Sequence, residues 1–377
     1  MAAEGSGMKN GVDMAVAEAG SAVAGYCLEV LNLDDASPQT GKWDPAVEAD
    51  NARKAVADPR AIVYIGPYNS GAAKISARIT NRASMAQVTP GATYPGLTKQ
   101  IDTRPGEPWT YRPLALVNFF RPLAADDVQG HAGARWAKRL GAKKVFVLND
   151  GELYGRGIAD VFESSAKRIG LEILANEPID GNQPEQRSLL TRISASGADL
   201  VYLGGVIETG APIVIRQMAD AGLVAPRVRI VGPDGLLQDT LLSGATCAAA
   251  MATDLRVTIP GLPFEKMTGV GARTYEDYKR RFGVEPTAFA LYAVEAGRVA
   301  IDGIRRAAAE LDRNGDLAKK RDAVRRAIAA TRNFEGINGT WSFDRNGDVD
   351  HSTTSGFRVV RAANPVGCRF QFESIVD

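Results

Sequence analysis

Short, nearly continuous apolar runs alternate along the chain with longer stretches in which apolar residues recur at helical spacing. The runs cover 28–33, 61–65, 86–89, 144–148, 200–203 and 228–231. A parallel strand covered on both faces shows such a pattern, because neither side meets water. The helical stretches cover 45–56, 72–83, 132–140, 157–169, 186–194 and 212–221. Strand–helix alternation at this spacing predicts βαβ units wound into parallel sheets. After about residue 260 the pattern turns helical over 264–282, 287–309 and 317–330. A terminal β region follows, with strands over 339–343 and 356–360 and a turn at Asn346-Gly347. No repeat or low-complexity linker separates the parts, so short crossovers join the domains and suit a hinge.

Length and charge narrow the function. The chain has 377 residues, enough for two domains at roughly 100–200 residues each. Forty-five basic and 44 acidic residues leave a formal net charge of +1. That balance offers no field for a polyanion and argues against nucleic acid as partner. No apolar run reaches the roughly 18 residues needed to span a bilayer. His131 and His351 are the only histidines, so no metal site is expected. Of Cys27, Cys247 and Cys368, two could pair, and the sequence leaves the pairing open; three small, mostly buried thiols are favoured over a disulfide framework. The N-terminus, Met1-Ala2-Ala3-Glu4-Gly5-Ser6-Gly7, has no apolar core of a secretory signal.

In open α/β sheets, ligands bind beyond the carboxyl ends of the strands, so the residues after each run are the candidates. After 61–65 come Tyr68, Asn69 and Ser70, which opens a helix at the N-cap position. Free helix amides and a hydroxyl can hold a carboxylate there, although a plain cap is the simpler reading. After 86–89 come Pro90, Gly91, Ala92 and Thr93, a small-residue loop that a ligand can approach closely; a plain β-turn fits as well. After 144–148 comes Asn149-Asp150, then Tyr154 before Gly155-Arg156-Gly157. Asp160 stands where a dinucleotide fingerprint needs its third glycine, so no nucleotide cofactor is expected. Tyr154 suits an aromatic cover over a ligand. Val206 and Glu208 follow 200–203, and Asp234 follows 228–231. Asp234 is the better placed carboxylate for pairing an ammonium.

Signals of bond-breaking chemistry are poor. There is no GxSxG elbow, no phosphate loop and no HExxH. In Asp344-Arg345-Asn346-Gly347-Asp348 the glycine comes fourth rather than sixth, so the segment reads as a turn and not a calcium loop. The set of small residues, hydroxyls, one aromatic and carboxylates matches the two ends of an amino acid.

Several of these segments carry a resemblance. The matching text is Asn51-Ala52-Arg53-Lys54, Asp58-Pro59, Ile65-Gly66-Pro67-Tyr68-Asn69-Ser70-Gly71-Ala72 and Thr89-Pro90-Gly91-Ala92-Thr93-Tyr94-Pro95-Gly96-Leu97-Thr98. It continues with Asn149-Asp150, Tyr154-Gly155-Arg156-Gly157, Tyr202-Leu203-Gly204-Gly205, Gly232-Pro233-Asp234-Gly235 and Trp341-Ser342-Phe343-Asp344 with Asn346-Gly347-Asp348. In this order the sequence resembles the periplasmic solute-binding proteins of branched-chain amino acid ABC transporters, the leucine/isoleucine/valine type.

The resemblance implies an α/β fold of two doubly wound parallel-sheet lobes joined by three crossovers. Lobe one would be 1–121 plus 257–332, and lobe two 122–256 plus 333–377. It implies a non-enzymatic protein that captures a small amino acid or amide between closing lobes and delivers it to ABC permease subunits, without a cofactor. A sensor domain of the same fold and a cytoplasmic enzyme using Asp234 or Glu208 as base are the alternatives. Ser70 falls where the family holds the ligand carboxylate. Gly91, Ala92 and Thr93 fall on the loop that meets carboxylate and ammonium. Tyr154 falls at the covering aromatic, and Asp234 where an acid pairs the ammonium. Asp234 is one methylene shorter than the glutamate of the best-known amino acid binders. Val206 and Tyr68 also depart from the usual residues, which opens the ligand's side chain to amides, urea-like compounds and aromatic acids.

Family members are periplasmic or cell-surface proteins. Here Met1 falls inside the first pocket loop of the family pattern, and 11–19 reads as the first helix. The resemblance therefore implies an N-terminally truncated chain, lacking the first strand of lobe one.

Overall fold

The computed structural model describes residues 2–312, 314–363 and 367–377. The chain divides into two compact units. The first comprises Met1–Ala125 and Phe264–Ser352, and the second Asp126–Pro263 and Thr353–Asp377. Residues 333–352 therefore belong with the first unit, whereas the sequence reading grouped them with the second. The reason is packing: Trp341 and Phe343 are buried with Val88, Phe120, Val299 and Val324 in the core of the first unit.

The second unit is built on a seven-stranded sheet. Its order runs Cys368–Ile375, Thr354–Arg361, Arg256–Pro260, Arg229–Gly232, Leu200–Gly204, Lys144–Asn149 and Glu172–Pro178. The last five strands pair in parallel, and the first two add antiparallel edges. Alternation along single strands builds two cores. Val145 and Val147 face one core with Phe162 and Tyr202, whereas Phe146 and Leu148 face the other with Leu203, Ile215 and Ile230. Both faces are covered by helices, which explains the unbroken apolar runs. Tyr202 stacks on Phe162 with ring centroids 3.8 Å apart.

The edge strand Cys368–Ile375 alternates half-buried and exposed residues. It is tied by a disulfide from Cys368 to Cys247 in the helix Ala245–Ala252. The expectation of three buried thiols is thus corrected. Cys247 and Cys368 meet because the edge strand packs beside that helix, and the remaining Cys27 is exposed.

The first unit has a three-stranded parallel sheet, with Ala86–Val88 between Val63–Ile65 and Phe119–Phe120. The run 28–33 forms no strand, and no described strand pairs with it. An apolar run without a ladder partner has no ladder of hydrogen bonds to hold it extended, and Leu28 makes only an isolated bond to the Ser21 carbonyl. The helix Pro45–Ala57 starts where Asp44 accepts from the amides of Ala46 (2.8 Å) and Val47 (3.1 Å), with Pro45 at the first helical position. The first helix runs Ala2–Glu18, beginning earlier than the expected 11–19, and Met1 lies outside the described residues. The terminal β region also pairs differently from the sequence expectation. Gly339–Trp341 pairs with Phe334–Gly336, and Thr354–Arg361 joins the large sheet. Asn346-Gly347 closes only a local turn, around the Asp344 carboxylate and the bridge Phe343↔Val349. No described helix is long and apolar enough to cross a membrane.

Candidate functional site

In the first unit the candidates lie on two adjacent strand ends. The helix Ser70–Arg82 begins directly beyond the strand Val63–Ile65. Asn69, not Ser70, is its N-cap, and Asn69 makes no side-chain cap bond. Ser70 is instead the first helical residue and is buried. Its Oγ accepts from the Tyr94 amide at 3.2 Å, which joins the two loops.

The loop after Ala86–Val88 folds around Thr89. The Thr89 hydroxyl donates to the Pro67 carbonyl at 2.7 Å and accepts from the amides of Gly91 (3.1 Å) and Ala92 (2.8 Å). Those two amides are therefore engaged by Thr89. The loop offers the Thr93 hydroxyl instead. Thr93 Oγ1 is buried and has no hydrogen-bond partner among the described residues. A buried hydroxyl left so costs free energy, unlike one that meets water. Gly91 is required for packing: a Cβ there would lie 2.4 Å from Cδ2 of Tyr68. Tyr68 in turn stands edge-on to Phe289, with centroids 4.9 Å apart. Tyr68, Ser70, Gly91, Ala92 and Thr93 thus share one loop cluster.

In the second unit the candidates gather at the carboxyl ends of three neighbouring strands. Tyr154 lies in the first turn of the helix Leu153–Arg168. Its Oη donates to Asp234 Oδ1 at 2.6 Å and accepts from the Gly235 amide at 3.2 Å. Asp234 opens a short 3₁₀ turn after the strand Arg229–Gly232 and is 3% exposed. Burial pushes its carboxyl above the ordinary aspartate range, partly offset by hydrogen bonds from Tyr154 and Gln129. Burial and the Asp234 charge push the Tyr154 phenol well above its ordinary value, so it stays a donor. Val206 lies against this pair: a Cβ on Gly235 would meet Gly205 O at 2.5 Å, Val206 Cγ1 at 2.9 Å and Tyr154 Cε1 at 3.0 Å. Glu208 sits half-buried on the 3₁₀ turn Ile207–Thr209.

Three residues outside the candidate set shape this end of the sheet. Asp150 accepts from the Val206 amide (3.2 Å), Thr209 Oγ1 (2.8 Å) and the Glu152 amide (3.0 Å), so it holds the Val206 loop in place. Gln129, fully buried, donates to Thr258 O at 3.0 Å and reaches Asp234. Its Oε1 and the Tyr202 hydroxyl have no partner among the described residues. Asp150 carried a legible signal in its place directly after a strand, whereas Gln129 and Thr89 carried none.

Chemically, the first-unit cluster presents hydroxyls and helix amides, suited to an anion. The second-unit cluster presents an oriented, buried carboxylate, suited to a cation.

Comparison with known proteins places the chain in a family. Residues 1–365 match the model of a family described as periplasmic binding protein. An amino acid binding protein of Pseudomonas aeruginosa is 28% identical over 276 residues, 73% of this chain and 66% of that protein. The Leu/Ile/Val-binding protein BraC3 of Rhizobium johnstonii is 30% identical over 252 residues, 66% of this chain and 62% of that protein. The matched part of the chain thus spans slightly less than two thirds of either relative. The crystal structure of a leucine binding protein, LivK, from Thermotoga maritima superposes with a TM-score of 0.81 at 23% identity, covering 100% of this chain and 95% of that one. With the family model spanning nearly the whole sequence and the parallel-sheet architecture shared, the chain belongs to the periplasmic binding protein family.

Proposed function

We propose that the protein is the extracytoplasmic solute-binding component of an ABC transporter and takes a small amino acid. The observation that carries the reading is the Asp234 carboxylate, buried at a strand end and oriented by Tyr154. A buried charge is costly unless something pairs it, and an α-ammonium is the matching partner. Ser70 and Thr93 in the first unit suit the ligand's carboxylate. Val206, beside Tyr154 in the second unit, suits an apolar side chain. The names of the relatives, an amino acid binding protein and a Leu/Ile/Val-binding protein, favour an aliphatic side chain. The Cys247–Cys368 disulfide fits an oxidising compartment such as the periplasm or cell surface. Delivery to membrane permease subunits completes the role, with no chemical change to the solute.

A thermal-shift screen of leucine, isoleucine, valine, other amino acids, amides and benzoate tests this. A solute at 100 times its dissociation constant stabilises by about 2.7 kcal/mol. Stabilisation by one or more branched-chain amino acids, lost in Asp234→Ala, is expected. Stabilisation by benzoate alone, or equal response in Asp234→Ala, overturns the ammonium pairing.

A further inference from the structure

The loop that carries Thr93 is braced by a buried ion pair. Arg121 is fully buried. Its Nη1 donates to the carbonyls of Ala92 at 3.2 Å and Tyr94 at 2.9 Å, the two residues that flank Thr93. Its Nη2 donates to Thr98 Oγ1, and its Nε donates to Asp348 Oδ1 at 2.6 Å. Asp348 is buried as well. Its Oδ2 accepts from Thr98 Oγ1 at 2.9 Å and lies 3.2 Å from Lys99 Nζ. Burial alone would raise the Asp348 carboxyl, but Arg121 and Lys99 hold it below the ordinary aspartate range, so it remains charged.

Stability does not account for such an arrangement. A buried pair gives up hydration on both sides, and apolar residues of similar volume commonly stabilise as well or better. What apolar residues cannot supply is a rigid fork. The planar guanidinium fixes its donors relative to one another. Here one end is anchored on Asp348, and the other grips the carbonyls on either side of Thr93. Holding the Ala92 carbonyl fixes the peptide plane before Thr93, while the grip on the Tyr94 carbonyl and the Ser70 Oγ contact to the Tyr94 amide fix the residue after it, and with this backbone the base of a hydroxyl that has no partner among the described residues.

We propose that Arg121 and Asp348 are positioning residues for solute binding, pre-organising Thr93 before a ligand arrives. The assignment rests on the reading of this loop as a solute-binding loop. A loop ordered in advance does not lose its freedom at the moment of binding, so the brace acts on affinity. Neither residue touches the ligand in this account.

The full-length chain is compared with Arg121→Lys, Thr98→Val and the double variant Arg121→Met/Asp348→Leu. Ile328→Ala, a cavity in the same unit's core, serves as a control for lost stability alone. Two quantities are read: hydrogen exchange of the Gly91, Ala92 and Tyr94 amides without ligand, and L-leucine affinity by calorimetry. In the brace variants those amides exchange at least tenfold faster, amides of the helix Ala288–Arg306 keep their protection, and leucine affinity falls at least tenfold. Ile328→Ala lowers the melting temperature but moves neither quantity. Unchanged loop exchange in the brace variants overturns the proposal. So does an affinity loss that Ile328→Ala reproduces at equal destabilisation. If the unmodified protein gives no heat with leucine, the reading of leucine as solute fails, and loop exchange alone decides the brace. If the double variant does not fold, Arg121→Lys and Thr98→Val decide it.

Discussion

The Tyr154 hydroxyl donates a 2.6 Å hydrogen bond to Oδ1 of Asp234, joining residues 80 positions apart across two strand ends. Gln129 and the backbone amides of Asp234 and Gly235 also hydrogen-bond this buried carboxylate. The Tyr154 bond sets the ring of Tyr154 beside Val206 and the Gly235 turn. One contact therefore fixes both a charge and an apolar wall. Gly235 permits the approach, because a side chain there would collide with the Gly205 carbonyl at 2.5 Å.

Removing that donor is the first expected effect. Tyr154→Phe keeps the ring and its wall but leaves Asp234 short of one hydrogen bond. Affinity for leucine should fall by about 1.5–3 kcal/mol, the range for a hydrogen bond to a charged group. Asp234→Asn should cost more, because it removes the charge itself. Calorimetry with both variants checks the order. A larger loss in Tyr154→Phe than in Asp234→Asn would show that the ring, and not the carboxylate, governs binding.

Acid should weaken binding through the same group. Only the ionised carboxylate pairs an ammonium, and burial raises the proton affinity of Asp234 above that of an ordinary aspartate. Binding should therefore be constant near neutrality and fall with decreasing pH earlier than an exposed aspartate would predict. A cation that pairs the carboxylate lowers its proton affinity, so binding in mildly acid solution should release protons. Calorimetry of leucine binding in buffers of different ionisation enthalpy counts them. No proton release at any pH from 4 to 7 would remove Asp234 from the pairing role.

Much of this end of the second sheet was legible in the sequence. The parallel strands Lys144–Asn149, Leu200–Gly204 and Arg229–Gly232 are largely buried, so their apolar runs admit few readings, and Tyr154, Val206 and Asp234 lie just beyond their ends. Other elements were hidden for physical reasons. Glu172–Pro178 and Cys368–Ile375 are edge strands with polar residues facing water, so they lack the apolar run. The segment 28–33 has such a run but no ladder partner, and composition carries no information about partners. Thr89 looked like the last residue of a strand. Its capture of the Gly91 and Ala92 amides depends on a loop path that no local pattern encodes.

The disulfide should matter for stability. Cys247 and Cys368 are 121 residues apart in sequence, and a cross-link of that span restricts the unfolded chain by about 3–5 kcal/mol in the chain-entropy account. Cys247→Ser/Cys368→Ser should therefore melt several degrees lower than the oxidised protein. Under native, non-reducing conditions iodoacetamide should label Cys27 alone, since it is exposed and free. Labelling of all three without reduction would show that the bond is absent in solution.

The first unit should lose stability as pH rises toward neutrality. Glu295 and Glu48 are each 1% exposed, and burial raises each carboxyl from 4.5 to about 7. Glu295 accepts from the Ile337 amide at 2.5 Å and from Trp341 Nε1 at 2.8 Å, but those bonds only partly offset desolvation. In the unfolded chain both glutamates ionise near the ordinary value, so between about pH 4.5 and 7 the folded state binds more protons. Stability from these groups is thus complete below the unfolded value and lost as pH rises through the folded one. Each contributes on the order of 3 kcal/mol to that loss. Glu295→Gln cannot titrate, so its melting temperature should fall less steeply than that of the unmodified protein from pH 5 to 7. Parallel curves would mean that Glu295 is ionised throughout and that its two donors outweigh its burial.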